Sequence, residues 1–150
     1  MYLLERTVLI PAPRDEVFEF FSDVGRLKEI TPPWLGFEDV TATGPMYEGM
    51  RVIHQIRWFR VPVRWTTIIE SFDPPSSFVD TQVKGPYKSW RHEHHFTEVD
   101  GHTVMSDRVQ YELPFGILGS VTHRLMVQNQ LREIFDYRAR RIREIFAKDA

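Results

Sequence analysis

Cysteine is absent from the 150 residues, which excludes disulfides, thiol nucleophiles, iron–sulfur clusters and cysteine-ligated zinc together. A charge excess is lacking too: 19 Lys and Arg stand against 21 Asp and Glu, a formal net charge of −2. That balance gives no bulk attraction to nucleic acid. No run approaches the roughly 18 apolar residues of a membrane span. The charges in Met1-Tyr2-Leu3-Leu4-Glu5-Arg6 come too early for a secretory leader, so a cytoplasmic protein is expected. Internal repeats, low-complexity stretches and the signatures G-x-G-x-x-G, P-loop and G-x-S-x-G are missing as well. What abounds is aromatic: 11 Phe, 5 Tyr and 4 Trp. So many rings either fill a dense core or line a cavity. The length suits a single domain over 1–150, large enough to fold without a staple.

Residues 2–10 read as a strand, stopped by Pro11-Ala12-Pro13. Pro13 suits the first turn of a helix, and Asp15 and Glu16 favour its N-terminal dipole end. Val17, Phe20, Phe21, Val24 and Leu27 recur at helical spacing, which predicts a helix over 13–29, broken near Gly25. Residues 37–112 read as strands. Glu48–Trp58 and Val61–Ile69 alternate on either side of a Phe59-Arg60 turn, so opposite residues have numbers summing to 119. His54 then faces inward beside Trp65. Phe78–Lys84 is a further strand.

Tyr87–Val99 and His102–Leu113 flank Asp100-Gly101, a type I′ hairpin signal. Opposite residues then sum to 201. One face carries Trp90, His92, His94, Phe96, Met105, Asp107, Val109 and Tyr111. The other carries Arg91, Glu93, His95, Thr97, Arg108, Gln110 and Glu112. A slip of one residue destroys this segregation, so the first face points inward. Beyond Pro114-Phe115-Gly116, Gly119 or Ser120 caps a helix running to about Phe146. Its apolar stripe is Leu118, Val121, Leu125, Leu131, Phe135, Ile142 and Ile145, interrupted by Gln128 and Arg138. It spans roughly 40 Å and must cross a whole curved sheet. The elements amount to an α+β fold: an antiparallel sheet of six to seven strands wrapped around a long C-terminal helix, with short helices after the first strand. A space between sheet and helix is where a small ligand sits.

This order of elements resembles the helix-grip fold of the START/Bet v 1-like (SRPBCC) superfamily. Trp90-x-His92-x-His94-x-Phe96, Asp107-Arg108-Val109-x-Tyr111-Glu112-Leu113-Pro114-x-Gly116 and Pro11-Ala12-Pro13-x-x-x-Val17-Phe18-x-Phe20 are similar to its bacterial polyketide cyclase/dehydrase-like branch. The resemblance covers nearly the whole chain. It implies binding of a lipid-, sterol-, polyketide- or hormone-like molecule, with catalysis in only some members; fold does not give function.

The inward polar residues are the candidates. His94 and Asp107 stand directly opposite, a pair that would raise the His pKa and select one tautomer. It reads as a strand-register lock, a ligand anchor or a general acid/base. His92-x-His94-x-x-x-Glu98 also has the spacing that opens a cupin metal motif, with Asp107 or His54 to complete it. The second cupin motif is missing, and cupins lack a long sheet-covering helix, so no metal or cofactor is expected.

Three readings follow. In the first, the protein binds a small apolar molecule, with Phe20, Phe21, Met50, Trp65, Trp90, Phe96, Met105 and Leu125 as walls. His54, His92, His94, Asp107, Tyr111 and Gln128 orient its polar groups. In the second it is an aromatase/cyclase- or dehydratase-type enzyme: His94, held by Asp107, moves the proton, and Tyr111 donates to a developing enolate. Access decides this one, since Trp90 and Phe96 would seal off an inactive pair. In the third it is an interaction module with a partner site at Trp34, Leu35, Phe115, Ile117 and Leu118. No nucleic acid or membrane span is expected, and no oligomeric state follows from the sequence.

Overall fold

The computed structural model describes residues 1–41, 44–114 and 121–147. Strand β1 (Tyr2–Ile10) leads through Pro11 and Pro13 into helix α1 (Arg14–Phe21), then 3₁₀ segments at Val24–Ile30 and Pro33–Leu35. Strands β2 (Glu38–Asp39), β3 (Arg51–Trp58), β4 (Val61–Asp73), β5 (Ser77–Lys84), β6 (Ser89–Val99) and β7 (His102–Glu112) follow, and helix α2 (Val121–Ala147) completes the order. All seven strands form one antiparallel sheet in the order β1-β7-β6-β5-β4-β3-β2.

Both counted registers hold. Trp90 pairs with Tyr111 and His94 with Asp107 across β6 and β7. His54 pairs with Trp65 across β3 and β4. The whole face from Trp90 to Tyr111 chosen as inward is buried. Bulges interrupt β4–β5 pairing between Thr66 and Thr67 and between Ile69 and Ser71. Bulges bend strands and strengthen their twist, and here they curve the sheet where the cavity lies.

The expected helix over 13–29 is shorter than its periodicity suggested. It ends at Phe21, with Ser22 outside the helical range. The Asp23 carboxylate accepts from the Gly25 N–H at 3.0 Å and opens the 3₁₀ segment instead. A local side-chain bond of this kind competes with continued α-helix.

Helix α2 is 27 residues long, about 40 Å, but its buried stripe differs from the expected one. Val127, Leu131, Phe135, Ile142 and Phe146 are buried. Val121 and Leu125 are 63% and 54% exposed. At 100° per residue Leu125 lies 120° around the helix from Leu131, off the face that meets the sheet. Leu118 and the expected caps Gly119 and Ser120 lie outside the described residues. Among the described residues, no helix is long and apolar enough to cross a membrane.

The two larger core clusters lie along the sheet, and a third, smaller one gathers Val24, Met50, Val52 and Ile69. Helix α1 packs Val17, Phe18, Phe20 and Phe21 over Val8, Ile10, Phe96 and Met105, closed by Ile142 and Phe146 of α2. Toward the other end Tyr87, Trp90, Val109 and Tyr111 pack under Val127, Leu131 and Phe135. Between these two larger clusters α2 does not reach the floor of β3–β6, and the gap is the cavity.

Candidate functional site

The cavity has a volume of about 160 Å³ and is partly open to solvent. Its floor is β3–β6, its roof is α2, and one wall is the 3₁₀ segment carrying Val24, Leu27 and Ile30. Most of the lining is apolar. Trp65 and Trp90 meet edge-to-face at 5.0 Å, and Tyr87 leans on both at 5.7 and 4.8 Å. Such aromatic contacts hold the cage rigid beyond their burial. Among the described residues, Trp65 Nε1 and Gln130 Oε1 have no hydrogen-bond partner, and both residues line the cavity.

The other end is polar. Alternation on β5 points Phe78 and Asp80 inward, and β6 does the same with His92 and His94. Across the strands Asp80 stands opposite His92 and His94 opposite Asp107. The short hydrogen bonds run diagonally. His92 Nε2 lies 2.7 Å from Asp107 Oδ1, and His94 Nε2 lies 2.8 Å from Asp80 Oδ2. The directly opposite approaches are longer: His94 Nδ1 to Asp107 at 3.4 Å and His92 Nδ1 to Asp80 at 3.9 Å. The two imidazoles stack at 3.7 Å, and Phe78 stacks on the far face of His94 at 4.0 Å. Two carboxylates thus bracket two stacked rings, one at each edge.

Ionised carboxylates only accept, so the His92 proton sits on Nε2 and is donated to Asp107. Burial, reinforced by the neighbouring His94, holds His92 below its ordinary range, so it is neutral. Burial alone would do the same to His94. The carboxylates at both its edges outweigh burial and raise it. Asp80 and Asp107 are likewise pulled down against burial, by the imidazoles and by Arg138 on α2. Two carboxylates are thus held ionised beside a neutral His92, with the raised His94 and the Arg138 guanidinium as the groups that offset their charge.

The predicted residues do not all meet. His54, Trp65, Trp90, His92 and His94 line the cavity, as does Phe21. Phe20, Phe96 and Met105 belong to the core under α1, because α1 covers that half of the sheet. Met50 packs with Val24, Val52 and Ile69 and is not part of the lining. Asp107 lies behind the two rings; it borders a separate surface cleft with Arg6, Asp136 and Arg138. Its first partner is His92 rather than the expected His94. Tyr111 packs on Tyr2 in a tilted contact at 5.4 Å and is not part of the cavity lining, and burial raises its hydroxyl pKa. Gln128 sits with Leu125 and Arg132 on the outer side of α2, and the amide that reaches the cavity is Gln130. His54 approaches Asp39 at 3.3 Å and packs at a tilt against Phe37; burial lowers its pKa against the pull of Asp39. Glu98, the third member of the cupin-like spacing, is exposed and accepts from the Arg14 N–H. Leu35 lines the cavity, and Trp34 lies half exposed in a groove with Phe59 and Met126. Phe115, Ile117 and Leu118 lie outside the described residues.

Asp80 is the cavity-lining charged partner of His94 that sequence reasoning missed. Its one sequence signal was weak: it shares the parity of Phe78, but on a mostly polar strand, Ser77–Lys84, whose register no tight turn fixes.

Residues 10–135 match the family of polyketide cyclase/dehydrase and lipid transport proteins. The chain belongs to that family. Solved structures agree on the fold. A START superfamily protein from Mycobacterium smegmatis superposes with a TM-score of 0.72 at 11% identity, covering 100% of both chains. A protein from Thermus thermophilus gives 0.71 at 19% identity over 99% of each chain. A nucleoside-diphosphate sugar epimerase from Corynebacterium glutamicum gives 0.69 at 24% identity over 94% of this chain, which spans only 28% of that one. No curated protein matches. At these identities the structures establish the START-like helix-grip fold of the polyketide cyclase/dehydrase family and nothing finer.

Proposed function

We propose that the protein binds a small, mainly apolar molecule in the cavity between sheet and α2, with one polar group directed at Asp80, His92 and His94. The carrying observation is the 160 Å³ cavity itself, aromatic and aliphatic on most sides and ionic at one end. An apolar cavity of about 150 Å³ is enough to admit benzene. A bicyclic aromatic burying about 250 Å² gains roughly 6 kcal/mol. Lost translational and rotational freedom takes at least about 4 kcal/mol of that. Apolar burial alone therefore gives weak binding, and the polar end must supply both affinity and orientation.

The test is titration with 2-naphthol in the presence of a chelator, followed by tryptophan emission. Trp65 and Trp90 line the cavity, so saturable one-to-one quenching is expected. Val52→Phe, which fills the cavity away from the ionic cluster, should abolish it without unfolding the protein. Quenching that never saturates, or that survives Val52→Phe, defeats the proposal.

A second reading is supported by access. His94 and Asp80 both line the cavity, and neither Trp90 nor Phe96 seals them off. In this reading His94, held by Asp80, is a general acid/base for a bound carbonyl compound. Deuterium exchange into an aryl 1,3-diketone should then be accelerated, and His94→Gln should remove the acceleration even at substrate concentrations that saturate the variant. Equal exchange in both proteins rejects catalysis.

A further inference from the structure

We propose that Asp80, His92 and His94 form a binding site for a divalent transition-metal ion at the polar end of the cavity. Their donor atoms, one per residue, lie within 4.8 Å of one another. His94 Nε2 and His92 Nδ1 face the same Asp80 oxygen at 2.8 and 3.9 Å. Metal–ligand bonds of about 2.1 Å place neighbouring donors roughly 3.0–3.4 Å apart. Of the two edges that meet at Asp80, one must therefore widen and the other close by about half an ångström, and the edge between the two imidazole nitrogens, at most 4.8 Å, must reach the same spacing. Two imidazoles and one carboxylate form a donor set suited to zinc or ferrous iron.

Three further observations fit an ion here. Asp107 Oδ1 contacts His92 Nε2 at 2.7 Å and His94 Nδ1 at 3.4 Å. These are the ring nitrogens turned away from Asp80. A carboxylate behind ligating imidazoles is the outer support that fixes tautomer and ring orientation in metal sites. The tautomer it imposes leaves His92 Nδ1 bare on the side facing Asp80, whereas His94 donates its Nε2 proton to Asp80 and releases it to solvent when the ion binds. All three donors line the cavity while Asp107 does not. Protein ligands thus come from β5 and β6 only, and further coordination positions open toward the space a small molecule would fill. Arg138 borders the same end. Beside a dication it favours an anionic ligand group such as a carboxylate or enolate.

An ion shared by both rings must lie near both ring planes. The rings now stack at 3.7 Å with a 26° tilt, so binding opens that angle and slides His94 off Phe78. Micromolar rather than nanomolar affinity is expected, because the site is not fully preorganised.

The experiment uses tag-free, chelator-treated protein titrated with Zn²⁺ by calorimetry and with Co²⁺ by visible absorption. One ion per chain is expected. Asp80→Asn should weaken it at least about 100-fold, and Asp107→Asn about 10- to 100-fold. His95→Gln, at an exposed position on β6, should change nothing. Paramagnetic broadening of the His92 and His94 resonances by Co²⁺ reads the site in the unaltered protein, whether or not a variant folds. No saturable binding by folded protein overturns the proposal, as does Zn²⁺ binding that ignores Asp80→Asn or follows His95→Gln. None of these outcomes bears on 2-naphthol binding, which is measured with metal chelated.

Discussion

Asp107 shows how one side chain sets the behaviour of its neighbours. It is only 5% exposed, and its charge is held by contact with both imidazoles. The pH dependence of stability in the metal-free protein follows from four residues of this cluster. His92 is held below its ordinary 6.5 by burial and by His94. The unfolded chain takes up a proton there that the folded one resists, so stability is full above about 6.5 and falls as pH drops. Asp80 and Asp107 are pulled below their ordinary 3.8. Their contribution is full above about 4 and is lost on further acidification. His94 is raised, so its contribution is full below about 6.5 and fades as pH rises through its folded value. A maximum near pH 6.5 is expected, measured as urea midpoints across about pH 5–8. His94→Gln should flatten the alkaline side, and a midpoint that climbs steadily to pH 8 would contradict the assignment. At this scale the sequence was partly legible. His92, His94 and Asp107 were readable because a two-residue turn allows exact counting along β6 and β7. Asp80 was not, since β5 is joined by irregular loops and bulges shift its pairing with β4.

Among the elements, the two tight hairpins make a controlled comparison. Asp100 and Gly101 at the β6–β7 turn have φ of 51° and 77°, and Phe59 and Arg60 at the β3–β4 turn have 51° and 70°. Both turns need left-handed backbone, yet only the first has glycine. A Cβ at Gly101 meets nothing within 4 Å, so Gly101→Ala isolates the backbone effect, a loss of about 1–2 kcal/mol. Arg60→Gly should act oppositely, gaining about 0.5–1 kcal/mol after the entropy of the unfolded glycine is subtracted. Thermal midpoints should move about 2–4 °C per kcal/mol, down for the first variant and up for the second. Strands were legible because alternation has a period of two and each hairpin carries its own ruler. Helix α2 was legible in length but not in rotation. Its apolar residues are too many and too scattered to define one face, and only the shape of the sheet beneath decides that Leu131 is buried and Leu125 is not.

For the molecule as a whole, the cavity results from coverage. Short α1 roofs one part of the sheet and long α2 the rest, α2 also closing the α1 end with Ile142 and Phe146; Phe18, Phe20 and Phe96 are core under α1, whereas Trp65, Tyr87 and Trp90 line the cavity. The sequence could assign rings to the inner face but not to these two compartments. Phe96 and Trp90 share a strand and a face, and only the position of α1 separates their roles. Ligand that binds the folded state alone should stabilise the protein by about 2.7 kcal/mol at a hundredfold excess over Kd. That corresponds to a rise of roughly 5–11 °C in the thermal midpoint, visible by differential scanning fluorimetry with 2-naphthol and absent in Val52→Phe. The placement of Asp107 carries one more consequence. It borders an outer cleft beside Arg6 and Asp136, whereas its imidazole partners border the cavity. The four side chains are thus a partition with a face in each compartment. A guest that fills the cavity therefore covers Asp80, His92 and His94 from the front and leaves the outer side of Asp107, beside Arg6 and Asp136, uncovered.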